Sequence, residues 1–176
     1  MQLVKMDPMR EIKIEKVTLN IGAGKDQTKL DKALILLERI GKAKPVKTVT
    51  SKRIPEWGLR PGLPIGCKLT LRNSHAVETL KNLLKANDST LKPASFDSEG
   101  NISFGIHEYI DIPGIKYDPQ IGIMGLQVCV TLKRAGFRIK YRKLNKKKIP
   151  ARHRIPKQEA MNYMKTKFDV KIEEEE

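Results

Sequence analysis

Residues 133–157 hold twelve Lys or Arg and no Asp or Glu. A concentrated positive arm of that kind repels itself, and its self-repulsion is relieved best by a dense polyanion whose counterions it displaces. The full chain of 176 residues carries a formal charge of +15, yet outside this segment 23 basic residues face 20 acidic ones. The sequence therefore predicts a nearly neutral body fused to a cationic arm. Nucleic acid is the default partner, and an anionic membrane surface is the competitor. Within the arm, Arg138, Lys140 and Arg142 alternate with Ile139 and Tyr141, the pattern of an extended ribbon with charges on one side and anchors on the other. Pro150 and Pro156 discourage a single long helix. With Lys143, Lys146, Lys147, Lys148, Arg152 and Arg154, these cations are the candidate phosphate contacts, and the arm is expected to order only on RNA. A solvated charge run is the competing reading.

The body is long enough to bury one core. Val17, Leu19 and Ile21 alternate as a strand should, and Gly22-Ala23-Gly24 breaks the run. A helix is predicted over 29–40 from the spacing of Leu30, Ala33, Leu34, Leu37 and Ile40, capped by Asp26 or Thr28 and ended by Gly41. Residues 46–50 read as a short strand, and Cys67, Leu69 and Leu71 alternate in the next. Ser74 is placed as the cap of a second helix with Val77, Leu80, Leu83 and Leu84 as its buried stripe. Beyond Asn87 a loop is expected until Ile102, Phe104 and Ile106 mark a strand. Leu126, Val128, Val130 and Leu132 give the cleanest strand of all. A helix over 157–167 and a last extended piece at Phe168, Val170 and Ile172 complete the reading. The predicted class is α+β: a largely antiparallel sheet with helices on one face, a long loop and a basic C-terminal extension. The expected divisions are a loose leader at 1–8, an RNA-binding domain at 9–132, the extension at 133–172 and an acidic tail at 173–176.

Several function classes find no support. No apolar stretch approaches a membrane span, and residues 1–8 lack the apolar core of a signal peptide. Cys67 and Cys129 lie far apart in apolar alternation, so buried free thiols of a soluble cytoplasmic protein are expected. Gly22-Ala23-Gly24-Lys25 precedes a helix, but Gln27 and Leu19 occupy the glycine positions of the dinucleotide and P-loop patterns. A phosphate contact at that helix end and a plain turn weigh equally. His107-Glu108 lacks its second histidine, since position 111 is Asp111, and His75 and His153 lie elsewhere. No metal cluster, cofactor site or catalytic constellation is predicted.

The loop at 52–66 is more informative. Lys52, Arg53 and Arg60 surround the sole tryptophan, Trp57, in a stretch with three prolines and three glycines, among them Gly62. Cations supply phosphate affinity and an exposed aromatic stacks on a base or sugar. A long loop without secondary structure of its own is more often functional than idle. The competing reading folds Trp57 back on its own loop.

The pieces Val17-Thr18-Leu19-Asn20-Ile21-Gly22 and Pro64-Ile65-Gly66-Cys67-Lys68-Leu69-Thr70-Leu71-Arg72 resemble the large-subunit ribosomal protein five family, the universal 5S rRNA binders. So do Ser95-Phe96-Asp97, Gly100-Asn101 and Ser103-Phe104-Gly105-Ile106. Gly114-Ile115-Lys116-Tyr117-Asp118-Pro119 through Gly125, and Arg152-His153-Arg154-Ile155, resemble its archaeal and eukaryotic branch. The resemblance runs from Met9 to about Ile172. It implies a structural protein of the central protuberance that binds 5S rRNA through Asn20, Lys25, Lys47, Thr48, Thr70 and Arg72. It also implies a loop (Lys52, Arg53, Trp57, Arg60, Gly62) reaching peptidyl-site tRNA, and an arm threading into large-subunit rRNA. A small-subunit protein at an intersubunit bridge and neighbouring large-subunit proteins are the implied protein partners. Ala43 stands where many members carry Gln, which removes a side-chain amide from that turn. Two other classes remain open on the residues alone: a free-standing nucleic-acid-binding regulator, which the arm would equally permit, and a nucleotide-dependent enzyme resting on the glycine turn.

Overall fold

The computed structural model describes residues 7–173; most of the expected leader, and the glutamates after Glu173, lie outside the described residues. Strand β1 (Lys13–Gly22) runs through the centre of the molecule. Its Val17, Leu19 and Ile21 are buried, because strand periodicity sends them to one face and Lys16, Thr18 and Asn20 to the other. Helix α1 (Gln27–Gly41) follows, then the short edge strand β2 (Val46–Val49) and strand β3 (Pro64–Leu71). Helix α2 (Asn73–Lys85), strand β4 (Thr90–Leu91), strand β5 (Ile102–Ile106) and strand β6 (Leu126–Lys133) come next. Helix α3 (Lys157–Phe168) and strand β7 (Lys171–Ile172) close the chain. Five strands pair in the order β2-β3-β1-β6-β5, every pair antiparallel. The α+β class is as expected.

Both central helices cover the same sheet face. Leu30, Ala33, Leu36 and Leu37 of α1 and Ala76, Leu80, Leu83 and Leu84 of α2 share one buried cluster with Leu19, Leu69, Val128 and Ile102. Phe137, Ile155, Ala160, Met164 and Val170 belong to that cluster too, so arm and last helix contribute to it.

Local details differ from the sequence reading. Asp26 is the cap of α1: its Oδ1 accepts from the backbone N–H of Thr28 at 3.0 Å and of Lys29 at 3.2 Å. Those bonds, with the Thr28 hydroxyl first among them, hold its carboxyl below the usual range. Gly41 is needed for closeness rather than for ending the helix, since a Cβ there would run into Leu69. The left-handed residue is Lys42, at φ 45°. Ser74 caps nothing: α2 already begins at Asn73, with Arg72 in the cap position and no side-chain bond. That phase buries Ala76 and Thr79 and leaves Val77 half-buried. The expected loop after Asn87 contains β4, which pairs in parallel with β7. A two-residue strand leaves no periodicity to read. Cys129, expected to be buried, is exposed, because it sits between inward-facing Val128 and Val130 and must point outward.

Candidate nucleic-acid interface

Among the described residues nothing covers the sheet face opposite the helices, and its register assembles side chains from distant parts of the chain. One row across the strands reads Val46, Lys68, Asn20, Gln127, Gly105. The next reads Thr70, Thr18, Cys129, Ser103. Thr48, Gly66 and Gly22 form a third. Asn20 Nδ2 donates to Gln127 Oε1 at 3.2 Å, which orients both amides within the face. Hydroxyls, amides and glycines make a shallow polar platform, with Lys16, Lys68 and Arg72 as its cations. Asn20, Thr48 and Thr70, expected together, do share this face. Lys47 does not: it lies opposite Cys67 on the helix side, 3.6 Å from Asp31 Oδ1. Lys68, Thr18, Gln127 and Ser103 escaped the sequence reading. Lys68 and Thr18 alternate with core residues and were recoverable from strand parity, whereas Gln127 and Ser103 join the face only through pairing order.

The glycine turn after β1 answers the phosphate question. The N–H groups of Ala23 and Gly24 both donate to the Ile65 carbonyl, at 2.9 and 3.0 Å, and Asp26 occupies the helix end. With its donors consumed and a carboxylate in place, the turn offers no anion cradle. It is a plain turn that anchors the start of β3. Lys25 remains exposed beside it, and a Cβ on Gly58 would meet the Lys25 side chain at 3.8 Å.

Residues 50–63, between β2 and β3, form a finger whose end turn at Gly58 lies close to Lys25. The finger has structure of its own, contrary to the expectation of an irregular loop. Ile54 and Leu59 exchange backbone hydrogen bonds at 3.1 and 3.0 Å around a 3₁₀ turn at Pro55–Trp57. Gly58, at φ 66°, supplies the left-handed position that closes it. Lower down, Thr50 N–H donates to Leu63 O at 3.0 Å and Gly62 N–H to Thr50 O at 2.8 Å. Leu59 is tucked in, while Trp57 is 66% exposed, so the indole does not fold back onto the finger. Lys52, Arg53 and Arg60 are exposed around it.

The arm departs most from expectation. It is a closed loop folded against the body, not an extended ribbon ordered only by RNA. Gly136, at φ 87°, turns the chain after β6, and Phe137–Lys140 form a 3₁₀ turn with the Phe137 ring buried. Lys140 Nζ lies 5.1 Å from the Phe137 ring centre and 5.0 Å from that of Tyr141. Phe137 and Ile155 anchor the loop in the core, whereas of the alternating pair Ile139 is half-buried and Tyr141 is exposed. Arg138, Arg142, Lys143, Lys146, Lys147, Lys148, Arg152 and Arg154 remain exposed, and Lys140 is half-buried. Arg154 also reaches Glu99 at 3.6 Å.

No group of three or more His, Cys, Asp or Glu among the described residues could hold a metal ion, and no described helix is long and apolar enough to cross a membrane. A polar sheet face, a tryptophan-bearing finger and a cationic loop together make up the kind of surface found on nucleic-acid-binding proteins.

Comparison with known proteins narrows that class. Residues 7–60 match the family model described as ribosomal protein L5, and residues 64–163 match the model for the C-terminus of the same ribosomal family. The chain is 47% identical to large ribosomal subunit protein uL5 of Methanobrevibacter smithii over 165 residues, covering 94% of this chain and 97% of that one. It is 49% identical to the protein of that name from Sulfolobus acidocaldarius, covering 96% and 94% of the two chains. The Nanoarchaeum equitans protein is also 49% identical, with 94% and 98% covered. The chain belongs to the ribosomal protein L5 family, which is one of ribosomal structural proteins and not of enzymes.

Proposed function

We propose that the protein is a structural constituent of the large ribosomal subunit that binds 5S rRNA and helps attach it in the central protuberance. Its place is the cytoplasmic ribosome and its process is translation, as for the archaeal relatives named large ribosomal subunit proteins. The observation that carries the 5S reading is the uncovered face, where Asn20, Thr48, Thr70, Lys68 and Gln127 converge from four strands. Neutral donors and acceptors on a shallow surface suit the sugar edges and bases of a folded RNA, with Arg72 and Lys25 at the margins for phosphate. Lys47 joins them only from the edge of β2.

The finger carries the second contact. Trp57, Lys52, Arg53, Arg60 and Gly62 form a stacking and cationic tip suited to peptidyl-site tRNA, and the arm cations engage large-subunit rRNA. Contacts to a small-subunit protein at an intersubunit bridge, and to neighbouring large-subunit proteins, complete the proposal. Gel shifts of the purified chain with 5S rRNA test it. Replacing Asn20 and Thr70 by Ala should weaken binding, and replacing Trp57 and Arg60 should not. Co-sedimentation with the large subunit, released stoichiometrically only at high salt, separates this role from that of a free regulator. A chain that ignores 5S rRNA at moderate salt would overturn the reading.

A further inference from the structure

Arg134 is the one cation of residues 133–157 that is buried, at 5% exposure. It leaves β6 pointing inward and meets both ends of the arm. Nη1 donates to the carbonyl of Arg154 at 2.9 Å and, more weakly, to that of His153 at 3.4 Å. Nη2 pairs with Glu159 in the first turn of α3. Beside it His153 Nε2 lies 2.9 Å from Ala135 O, and the His153 ring stands edge-on to Phe137 at 5.8 Å. Ile155 is fully buried against Gly100, where any Cβ would collide with it. The base of the loop is therefore closed at three points, while Lys143, Lys146, Lys147 and Lys148 stand exposed at its far end. Arg134 Nε has no partner, so the guanidinium is held for its reach to both strands of the loop and not for full satisfaction.

We infer that Arg134 is a positioning residue: a clasp that preorders the arm by binding its return strand and α3, without itself touching RNA. A buried guanidinium spreads its donors over a planar fork that reaches two carbonyls and a carboxylate at once, a span that the single ammonium nitrogen of a lysine does not match. Prefolding moves the ordering cost of the loop from RNA binding to protein folding, so affinity rises with no added phosphate contact. The RNA part of this inference rests on the proposed function; the clasp itself does not.

Two readouts separate them. Chymotrypsin cleavage after exposed Tyr141 and Leu144 reports loop closure in the free protein. Binding to a large-subunit rRNA transcript, titrated with KCl, reports affinity and the salt slope together. For Arg134→Met, cleavage should quicken and affinity should fall about tenfold, with the slope unchanged. Glu159→Ala removes a carboxylate that is 47% exposed and leaves the buried guanidinium its two carbonyl partners; it should shift both readouts the same way by less. Arg134→Lys should restore cleavage resistance only in part. A slope reduced by about one unit would show Arg134 to be a phosphate contact instead. Unchanged cleavage in both Arg134→Met and Glu159→Ala would overturn the clasp. Quickened cleavage with unchanged affinity would overturn its role in binding, and wild-type protein that fails to bind the transcript would overturn the functional reading alone.

Discussion

Replacing Lys143, Lys146, Lys147 and Lys148 by Gln isolates the charge at the arm's far end from the loop that carries it. All four lysines are exposed, and none takes part in an ion pair among the described residues. The fold should therefore be indifferent, with stability unchanged to within about 0.5 kcal/mol. RNA binding should not be. Each phosphate neutralised on duplex RNA or DNA contributes close to 0.9 to the slope of log K against log salt, so four lost contacts remove roughly 3.6. Between 50 and 200 mM KCl the wild-type protein should then lose about 150-fold more affinity than the variant. The assay is a filter-binding titration on a large-subunit rRNA transcript at four salt concentrations, with circular dichroism to confirm the fold. A slope lowered by less than about one unit would refute the reasoning, for it would mean that these lysines face solvent in the complex.

The remaining expectations test other surfaces. Gly125→Ala would drive a Cβ into the His107 and Ile106 carbonyls, at 2.6 and 2.8 Å, and backbone cannot rotate away. A loss of about 2 kcal/mol follows, seen as a melting temperature lower by roughly 6 °C; an unchanged one would show the strands free to part there. Trp57→Ala removes an exposed side chain, so stability should hold to about 0.5 kcal/mol while tRNA binding to reconstituted subunits weakens. Equal weakening of 5S rRNA binding would move the finger to the other RNA. Alkylation at pH 8 should label Cys129 in the native protein and spare Cys67, whose thiol burial pushes up to about 11; 5S rRNA should protect Cys129. Because native Cys67 holds its proton above the ordinary 9.0, unfolding releases a proton between about pH 9 and 11, and stability should fall across that window as pH rises.

Strand parity made much of this fold readable. Val17, Leu19 and Ile21, or Leu126 through Leu132, alternate cleanly because a half-covered sheet needs one apolar and one polar face. What escaped depends on interactions remote in sequence. Gly41 resembles a helix stop and is in fact a contact with Leu69. β4 and β7 are too short to show a period and exist only because each finds the other. The candidate site was legible in kind and incomplete in membership. Its cations and its tryptophan are conspicuous in composition, whereas Gln127 and Ser103 reach Asn20 and Thr18 only through the order of the strands. Lys47 is set apart from the platform for the same reason: Thr48 next to it faces the platform, so one residue of parity sends Lys47 toward Asp31. In the arm, alternation was real, but burial of Phe137 and Ile155 outweighed the extended conformation it implied.

The distribution of charge across the three surfaces carries an argument of its own. With only Lys16, Lys68 and Arg72 as its cations, the sheet face gains less from counterion release than the arm does, so in the proposed role its discrimination rests on hydrogen-bond geometry and on a flat approach. The loop beyond Arg134 is the reverse, with exposed cations, few directional groups and therefore strong, salt-sensitive and sequence-tolerant attraction. In the proposed role, with both on one covalent body, the loop would raise the local concentration of RNA at the face and the face would select which RNA stays. That division requires the loop to hold a fixed distance from the sheet. The buried guanidinium of Arg134, reaching from the last residues of the sheet to the return strand of the loop, is placed where such a constraint has to act.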